Sequence, residues 1–268
     1  MTAVQSPATR PAGVAVGDDR GRTVEKISVA RLTRVELRKL ADTRAGFWML
    51  IVIGLAAAGT AAILLAAAPD EEQTFQGFFS FGLVPATVLL PVLGILSMTS
   101  EWSQRTALTT FTLTPARGRV VAAKLIAAVL IAVAATAAAA LLSAAANLVA
   151  LGTGGDGSWH LTADQGGRLL LNQVIFVLMG AGFGALLMSP ALAIVLFFAL
   201  PTVWSVLGQM VKRLSEAAGW LDLNITSIPL SEPAMTSGEW ARLGVSCAVW
   251  VIVPLAAGTV RVLRREVA

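Results

Sequence analysis

Six stretches of the sequence are each long and apolar enough to cross a membrane, and none of them contains an Asp, Glu, Lys or Arg residue. A helix crosses about 30 Å of hydrocarbon in about 20 residues. A single run of this kind could be a buried core helix, but six of them indicate membrane spans, and the alternation typical of β-barrel strands is missing. The sequence therefore predicts an all-α integral membrane protein with six transmembrane helices, at residues 46–68, 77–99, 125–151, 169–188, 191–211 and 243–260.

The composition argues against an ordinary water-soluble enzyme. Of the 268 residues, 56% are hydrophobic and 13% are charged, whereas soluble domains carry about 25% charged residues. One cysteine and one histidine are too few for a disulfide or a His/Cys metal site. The sequence has no phosphate-binding P-loop, and a membrane-embedded enzyme could draw only on Glu101 and Asp42 at the cytoplasmic boundary. We therefore predict no catalytic, cofactor-binding or metal-ligating residue, and no nucleic-acid partner.

The basic residues are distributed unevenly between the predicted loops. If the N-terminus is cytoplasmic, six spans return the C-terminus to the cytoplasm, and sixteen of the twenty Lys and Arg residues lie on that side. The four on the outer side are Arg168, Lys212, Arg213 and Arg242. Because Lys and Arg near span ends favour the cytoplasmic side, we expect a multi-pass plasma-membrane protein with both termini cytoplasmic.

The region before the first span divides into two parts. Residues 1–26 are rich in Ala, Pro, Gly and Thr and are predicted to be a disordered cytosolic tail, whereas residues 27–268 form the membrane domain. Residues 27–44 contain no Gly or Pro and place Arg31, Arg34 and Arg38, followed by Lys39, along a helix. They predict an amphipathic elbow helix on the inner leaflet, with its basic side toward anionic lipid. The alternative is that these residues only set the topology.

The segment from Ser100 to Lys124 is the longest predicted cytosolic loop between spans. Residues 101–114 can form a short helix, which Pro115 and Gly118 would end. Within that helix Glu101 could pair with Arg105 at the i+4 position. Such a rigid element could transmit motion from a cytosolic partner, while the alternative is a solvated loop.

This segment resembles the cytoplasmic loop of ABC-2-type permeases. Members of that family often read E-(W/Y)-x-x-G-T, followed by T-P-x-R and A-K, and here Arg105 stands where glycine is common. Residues 35–48 are similar to the family's elbow and first span, and residues 264–267 are similar to its short C-terminal ending. The number of spans, the loop lengths and the sidedness extend the resemblance over nearly the whole chain.

The resemblance implies the permease subunit of an ABC transporter that acts in export, such as multidrug efflux, by alternating access. It implies a dimer with a second copy or a homologous permease, and two copies of a separate cytosolic ABC ATPase that binds ATP and Mg²⁺. The turn at Ser189-Pro190 would give a second ATPase contact. The loop residues expected to couple to the ATPase are Glu101, Trp102, Arg105, Thr106, Thr114, Pro115, Arg117 and Arg119.

The predicted spans contain no ionisable residue. Such residues mark proton and ion routes, so their absence argues against a proton-coupled transporter. A secondary transporter or channel that no ATPase drives is the alternative function. A path without charges suits an amphipathic or lipophilic cargo such as a drug, an antibiotic or a lipid. The residues that could face this path, or could instead form hydrogen bonds between helices, are Thr136, Ser143, Asn147, Trp204 and Gln209.

Prolines and small residues predict how the spans bend and pack. Pro91 and Pro201 lie inside spans, where each removes a helical hydrogen bond. Gly180 and Gly184 form a small-residue seam that lets another helix approach closely. We expect this seam to pack within the chain, and a dimer face is the alternative.

Overall fold

The computed structural model describes residues 27–104 and 116–265, and every regular element in these two ranges is helical. A π-helical turn at Ala248–Ile252 joins the last two helices. The helices are α1 (Val29–Asp42), α2 (Arg44–Ala67), α3 (Phe75–Gly82), α4 (Val84–Ser103), α5 (Arg117–Thr153), α6 (Ala163–Leu187), α7 (Pro190–Met210), α8 (Ser215–Leu221), α9 (Leu223–Thr226), α10 (Ser237–Cys247) and α11 (Val253–Arg264).

Six helical stretches are long and apolar enough to cross a membrane, which confirms the predicted fold class at this level. Their bounds are Arg44–Ala67, Phe75–Ser103, Arg117–Thr153, Ala163–Leu187, Pro190–Met210 and Ser237–Arg264. The third stretch begins at Arg117, before the predicted start at Leu125, so Lys124 lies inside a helix. The placement of the bundle in a membrane and the side of each terminus stay predictions.

The centre of the bundle is α6, which packs most closely against α4 and α11. A Cβ atom on Gly180 would lie 2.3 Å from the carbonyl oxygen of Pro91, and one on Gly184 would lie 2.9 Å from that of Ile95. Only glycine leaves room for backbones this close. The seam of Gly180 and Gly184 therefore packs against α4 within the chain.

The bend between α1 and α2 depends on Thr43 and Gly46. Thr43 is extended, and its side-chain oxygen accepts a hydrogen bond from the Gly46 N–H at 3.2 Å, so it caps α2. A Cβ atom on Gly46 would collide with the carbonyl oxygen of Leu40. This close approach folds α1 back against α2 and α5.

Two ends of the bundle differ in what they contain. The α1 end holds α1, the end of α4, the beginning of α5, the turn between α6 and α7, and the end of α11. The opposite α9 end holds α3, the loop at 154–162 and the segment at 211–236. Arg168 holds that last segment against α6, donating to the carbonyl oxygens of Glu232 at 2.8 Å and Pro233 at 2.9 Å.

A buried charge cluster as the candidate functional site

Four charged side chains from three helices meet at the α1 end, and we call them the charge cluster. Glu36 and Lys39 belong to α1, Glu101 lies near the end of α4, and Lys124 lies in the first part of α5. Lys124 Nζ lies 2.7 Å from Glu36 Oε2 and 2.8 Å from Glu101 Oε1. Lys39 Nζ lies 2.8 Å from Glu36 Oε1 and 3.4 Å from Glu101 Oε1. The cluster thus ties α1 to two membrane-length helices.

Three members of the charge cluster are almost completely shielded from solvent. The exposed fractions are 5% for Glu36, 3% for Glu101 and 4% for Lys124. Lys124 Nζ also donates to the carbonyl oxygen of Ser97 at 2.8 Å, and the Ser100 hydroxyl lies 3.1 Å from Glu101 Oε2. A buried charge is costly unless it is paired and hydrogen-bonded. Two lysines and two glutamates satisfy this condition together. Replacing Lys124 or one of the buried glutamates would therefore leave a buried charge without its closest counter-charge.

Lys39 is the member of the cluster that reaches solvent, with 43% of its side chain exposed. Burial lowers the pKa of Lys39, but the hydrogen bond to Glu36 and the charges of Glu36 and Glu101 outweigh it and hold the pKa above its ordinary value. Lys39 therefore stays protonated at neutral pH. It adds a second positive charge beside the two carboxylates.

The sequence of α1 explains why Glu36 points inward. Thr33, Glu36 and Leu40 are buried at helical spacing, so Glu36 lies on the face that packs against the bundle. Arg31, Arg34 and Arg38 are exposed. Residues 29–42 are therefore helical with these arginines exposed, whereas an elbow helix that lies on a membrane surface stays a prediction.

A second set of contacts, the α11 clasp, lies at the same end and joins α4, α5 and α6 to the end of α11. The Arg265 guanidinium lies 4.8 Å from the centre of the Trp102 ring, and Arg265 Nη1 lies 2.9 Å from Met188 Sδ. Arg117 Nη1 donates to the carbonyl oxygens of Val262 and Arg265. Met188 has a left-handed φ of 54° and leads directly into Ser189-Pro190. Trp102, Arg117 and the predicted second contact at Ser189-Pro190 are therefore brought to one end of the molecule.

Half of the predicted coupling residues fall within the described part of the chain. Glu101 belongs to the charge cluster, Trp102 and Arg117 belong to the α11 clasp, and Arg119 is half-exposed near the start of α5. Arg105 lies outside the described ranges, so its predicted pairing with Glu101 stays a prediction, and the described partners of Glu101 are Lys124 and Lys39. The residues outside the described ranges are Arg105, Thr106, Thr114 and Pro115.

The predicted path residues on α5 make hydrogen bonds close to their own positions. Thr136 donates to the carbonyl oxygen of Ala132 at 2.8 Å, and Ser143 donates to that of Ala139 at 2.7 Å, so both bonds stay within the helix. Asn147 is fully buried and donates to the carbonyl oxygen of Gly157 at 2.8 Å.

The two predicted path residues on α7 differ in their surroundings. The Trp204 indole N–H is buried and has no acceptor among the described residues, whereas Gln209 is exposed. The hydrogen bonds recorded for the predicted path residues do not link one of them to another. A role for these residues in a common path stays a prediction.

Comparison with known proteins adds no support to the resemblance to ABC-2-type permeases, which depends on the residues of this chain. No protein-family model matches the chain, and no curated protein matches it. Among the described residues no group of three His, Cys, Asp or Glu side chains could hold a metal ion. The carboxylates of the charge cluster are paired with lysines, and these ion pairs join α1, α4 and α5.

Proposed function

We propose that this chain is the permease subunit of an ATP-driven exporter of the ABC-2 type, in which a separate cytosolic ATPase supplies the energy. The subunit pairs with a second copy or a homologous permease and moves an amphipathic or lipophilic compound across the plasma membrane by alternating access. Its α1 end faces the ATPase, and the charge cluster passes motion of that end to α4 and α5.

The observation that carries this proposal is the buried charge cluster. Glu101 and Lys124 flank the segment whose sequence resembles the ABC-2 coupling loop. Their ion pair, with Lys124 Nζ 2.8 Å from Glu101 Oε1, joins the two helices from which this segment extends. Glu36 links the same lysine to α1 at 2.7 Å. A push on the segment would therefore move α1, α4 and α5 together, because separating the charges in a buried site is costly.

The α11 clasp supports the proposal independently. Arg265 contacts both Trp102, beside the coupling segment, and Met188, beside the Ser189-Pro190 turn. A partner protein docking on this end can therefore contact both of the elements that the family resemblance assigns to the ATPase. Such shared contacts favour a rigid docking surface over two independent loops.

A secondary transporter driven by protons is the second candidate, because Glu36 and Glu101 are buried ionisable groups. Two observations favour the ATP-driven exporter. Each carboxylate is already paired with a lysine, and the cluster lies near the ends of α4 and α5, whereas coupling-ion sites of secondary transporters lie near the middle of the membrane. A paired cluster at one end is better suited to mechanical coupling than to proton transfer.

The proposal is tested by co-expressing this chain with a candidate cytosolic ABC ATPase, by co-purification of the two proteins, and by the ATPase rate of the complex. Arg119→Glu places a negative charge next to the coupling segment at a half-exposed position, so we expect it to weaken the complex and its stimulated ATPase rate at least fivefold. Arg213→Glu makes the same change at an exposed position between α7 and α8, toward the other end, and is expected to have no effect. Equal behaviour of the two folded variants would contradict the assignment of the α1 end.

A further inference from the structure

A groove between α4, α6 and α7 near the α9 end contains polar groups that the protein does not satisfy. Two adjoining cavities of about 320 and 250 Å³ share Thr87 and Val88 and together form this groove. One half includes the side-chain amides of Asn172 and Gln173 among apolar side chains such as Leu83, whereas the other half is lined by aromatic and aliphatic side chains such as Phe176 and Phe197. None of the residues that line either half is charged.

The orientation of the Gln173 amide follows from its neighbours. Gln173 Nε2 lies 2.8 Å from the Thr87 hydroxyl and 3.4 Å from the carbonyl oxygen of Leu83. In this orientation the amide nitrogen faces the Leu83 carbonyl, which only accepts hydrogen bonds. Gln173 is 1% exposed, and its Oε1 has no donor among the described residues.

Other acceptors belong to residues that line the groove. The buried Oδ1 of Asn172 has no donor among the described residues either. Pro91 and Pro201 have no N–H for the carbonyls four residues earlier, which belong to Thr87 and Phe197, and both of these residues line the groove. A buried acceptor without a donor costs free energy, most of all in a membrane-like environment. The amide oxygens of Asn172 and Gln173 therefore lack donors among the described residues.

The missing donors identify the chemical class of the occupant. An anionic head would be repelled by oxygens, and an ammonium head would lose its hydration in a groove without a counter-charge. A neutral head with hydroxyl or amide N–H groups satisfies the oxygens at no such cost. The aromatic half of the groove suits an apolar chain or ring system attached to that head.

We propose that this groove binds a neutral amphiphile whose head donates hydrogen bonds to Asn172 and Gln173 and whose apolar part lies against Phe176 and Phe197. The inference goes beyond the proposed function, because binding in the groove requires neither an ATPase nor a second permease. Its failure would leave the coupling assignment at the α1 end unaffected.

The test uses the purified full chain in nanodiscs of phosphatidylcholine, whose head has no N–H or O–H group. Equilibrium binding is measured for radiolabelled 1-monooleoylglycerol, which carries free hydroxyls, and for its dimethyl ether, which carries none. The wild-type chain is expected to prefer the free hydroxyls about five- to tenfold, as expected when one or two hydrogen bonds are lost. Asn172→Leu should remove most of that preference, and because the Asn172 side chain makes no hydrogen bond to the rest of residues 27–104 and 116–265, the variant should fold normally.

Two further variants keep the test decisive. Gln76→Leu changes a half-buried amide on α3 that does not line the groove, so it should retain the full preference. Phe198→Ala, in the apolar half, should weaken both probes alike. Equal binding of the two probes by the wild-type chain, or an unchanged preference in folded Asn172→Leu, would overturn the proposal.

Discussion

At the α1 end four charged side chains pair with one another, whereas in the groove near the α9 end the amide oxygens of Asn172 and Gln173 have no donor in the described part of the chain. Both regions bury polar groups between α4 and neighbouring helices, so the difference lies in how those groups are partnered. A fully paired cluster holds helices in one arrangement, because any separation exposes a buried charge. Unpaired acceptors favour the entry of a ligand that supplies donors. We therefore propose mechanical connection for the α1 end and ligand binding for the groove.

The largest expected effect comes from removing the centre of the charge cluster. Lys124→Met leaves Glu36 and Glu101 buried with only Lys39 nearby, so we expect the free energy of unfolding to fall by about 3–5 kcal/mol. Lys39→Met removes a lysine with 43% of its side chain exposed, and we expect a loss of about 1 kcal/mol or less. Unfolding in detergent, followed by circular dichroism, measures both. Equal losses in the two variants would break the comparison, because they would show that burial of the cluster does not matter.

The next effect concerns the seam of α4 and α6, which supports both regions. Gly180→Ala places a Cβ atom 2.3 Å from the carbonyl oxygen of Pro91, so we expect a loss of about 1–3 kcal/mol in the free energy of unfolding. The matched control is Gly59→Ala in α2, where a Cβ atom would meet no neighbour within 4 Å. The control should be neutral or stabilising. A harmless Gly180→Ala would contradict the close packing of α4 and α6.

A smaller effect of opposite sign is expected in the groove. Asn172→Leu removes a buried oxygen that has no donor, so we expect the free energy of unfolding to rise by about 1 kcal/mol in the absence of ligand. The same unfolding experiment measures it, and Gln76→Leu is again the control. If Asn172→Leu destabilised the protein as Lys124→Met does, the groove would be another structural polar network and the contrast between the two regions would disappear.

The smallest expected effect is the pH dependence that Lys39 contributes. Its pKa in the folded protein lies above the ordinary value of 10.5, so its stabilising contribution is complete below that value and is lost as the pH rises through the raised pKa. Because Lys39 is partly solvent-exposed, we expect about 0.5 kcal/mol or less. Unfolding measured on both sides of this pKa should show a steeper loss for the wild type than for Lys39→Met. If the free energy of unfolding changed with pH in parallel for the wild type and Lys39→Met, Lys39 would not contribute to the charge cluster.

The helices could be predicted from the sequence more completely than the site. The uncharged stretches of the sequence correctly predicted six membrane-length helices. Because each predicted span was ended at its first charged residue, however, the third span was predicted to start at Leu125. The helix continues back to Arg117, because Lys124 finds its counter-charges on α1 and α4. Helical spacing shows that Glu36 shares a face with Leu40, yet it cannot name a partner 88 positions away. Helical spacing can propose only a local partner such as Arg105 for Glu101, and that pairing stays a prediction, whereas Lys124 and Lys39 reach Glu101 from other helices.

The groove lay beyond sequence reasoning for a related reason. The prolines at positions 91 and 201 were predicted to interrupt hydrogen bonds, but nothing in the sequence indicates that the affected carbonyls belong to residues lining one groove. Asn172 and Gln173 follow the predicted span start at Leu169 and look like ordinary interfacial residues. Their significance depends on the absence of donors around them, and that absence is a property of the packed helices.

Transport by the reconstituted chain tests the central claim most directly. Proteoliposomes containing the chain, with and without its ABC ATPase, are loaded with a fluorescent neutral amphiphile, and its movement is followed with and without ATP and Mg²⁺. The proposed function requires that movement occurs only when the ATPase and hydrolysable ATP are both present, and that Arg119→Glu reduces it while Arg213→Glu does not. Transport at the full rate by the chain alone, driven by a proton or ion gradient, would contradict a permease energised by another protein.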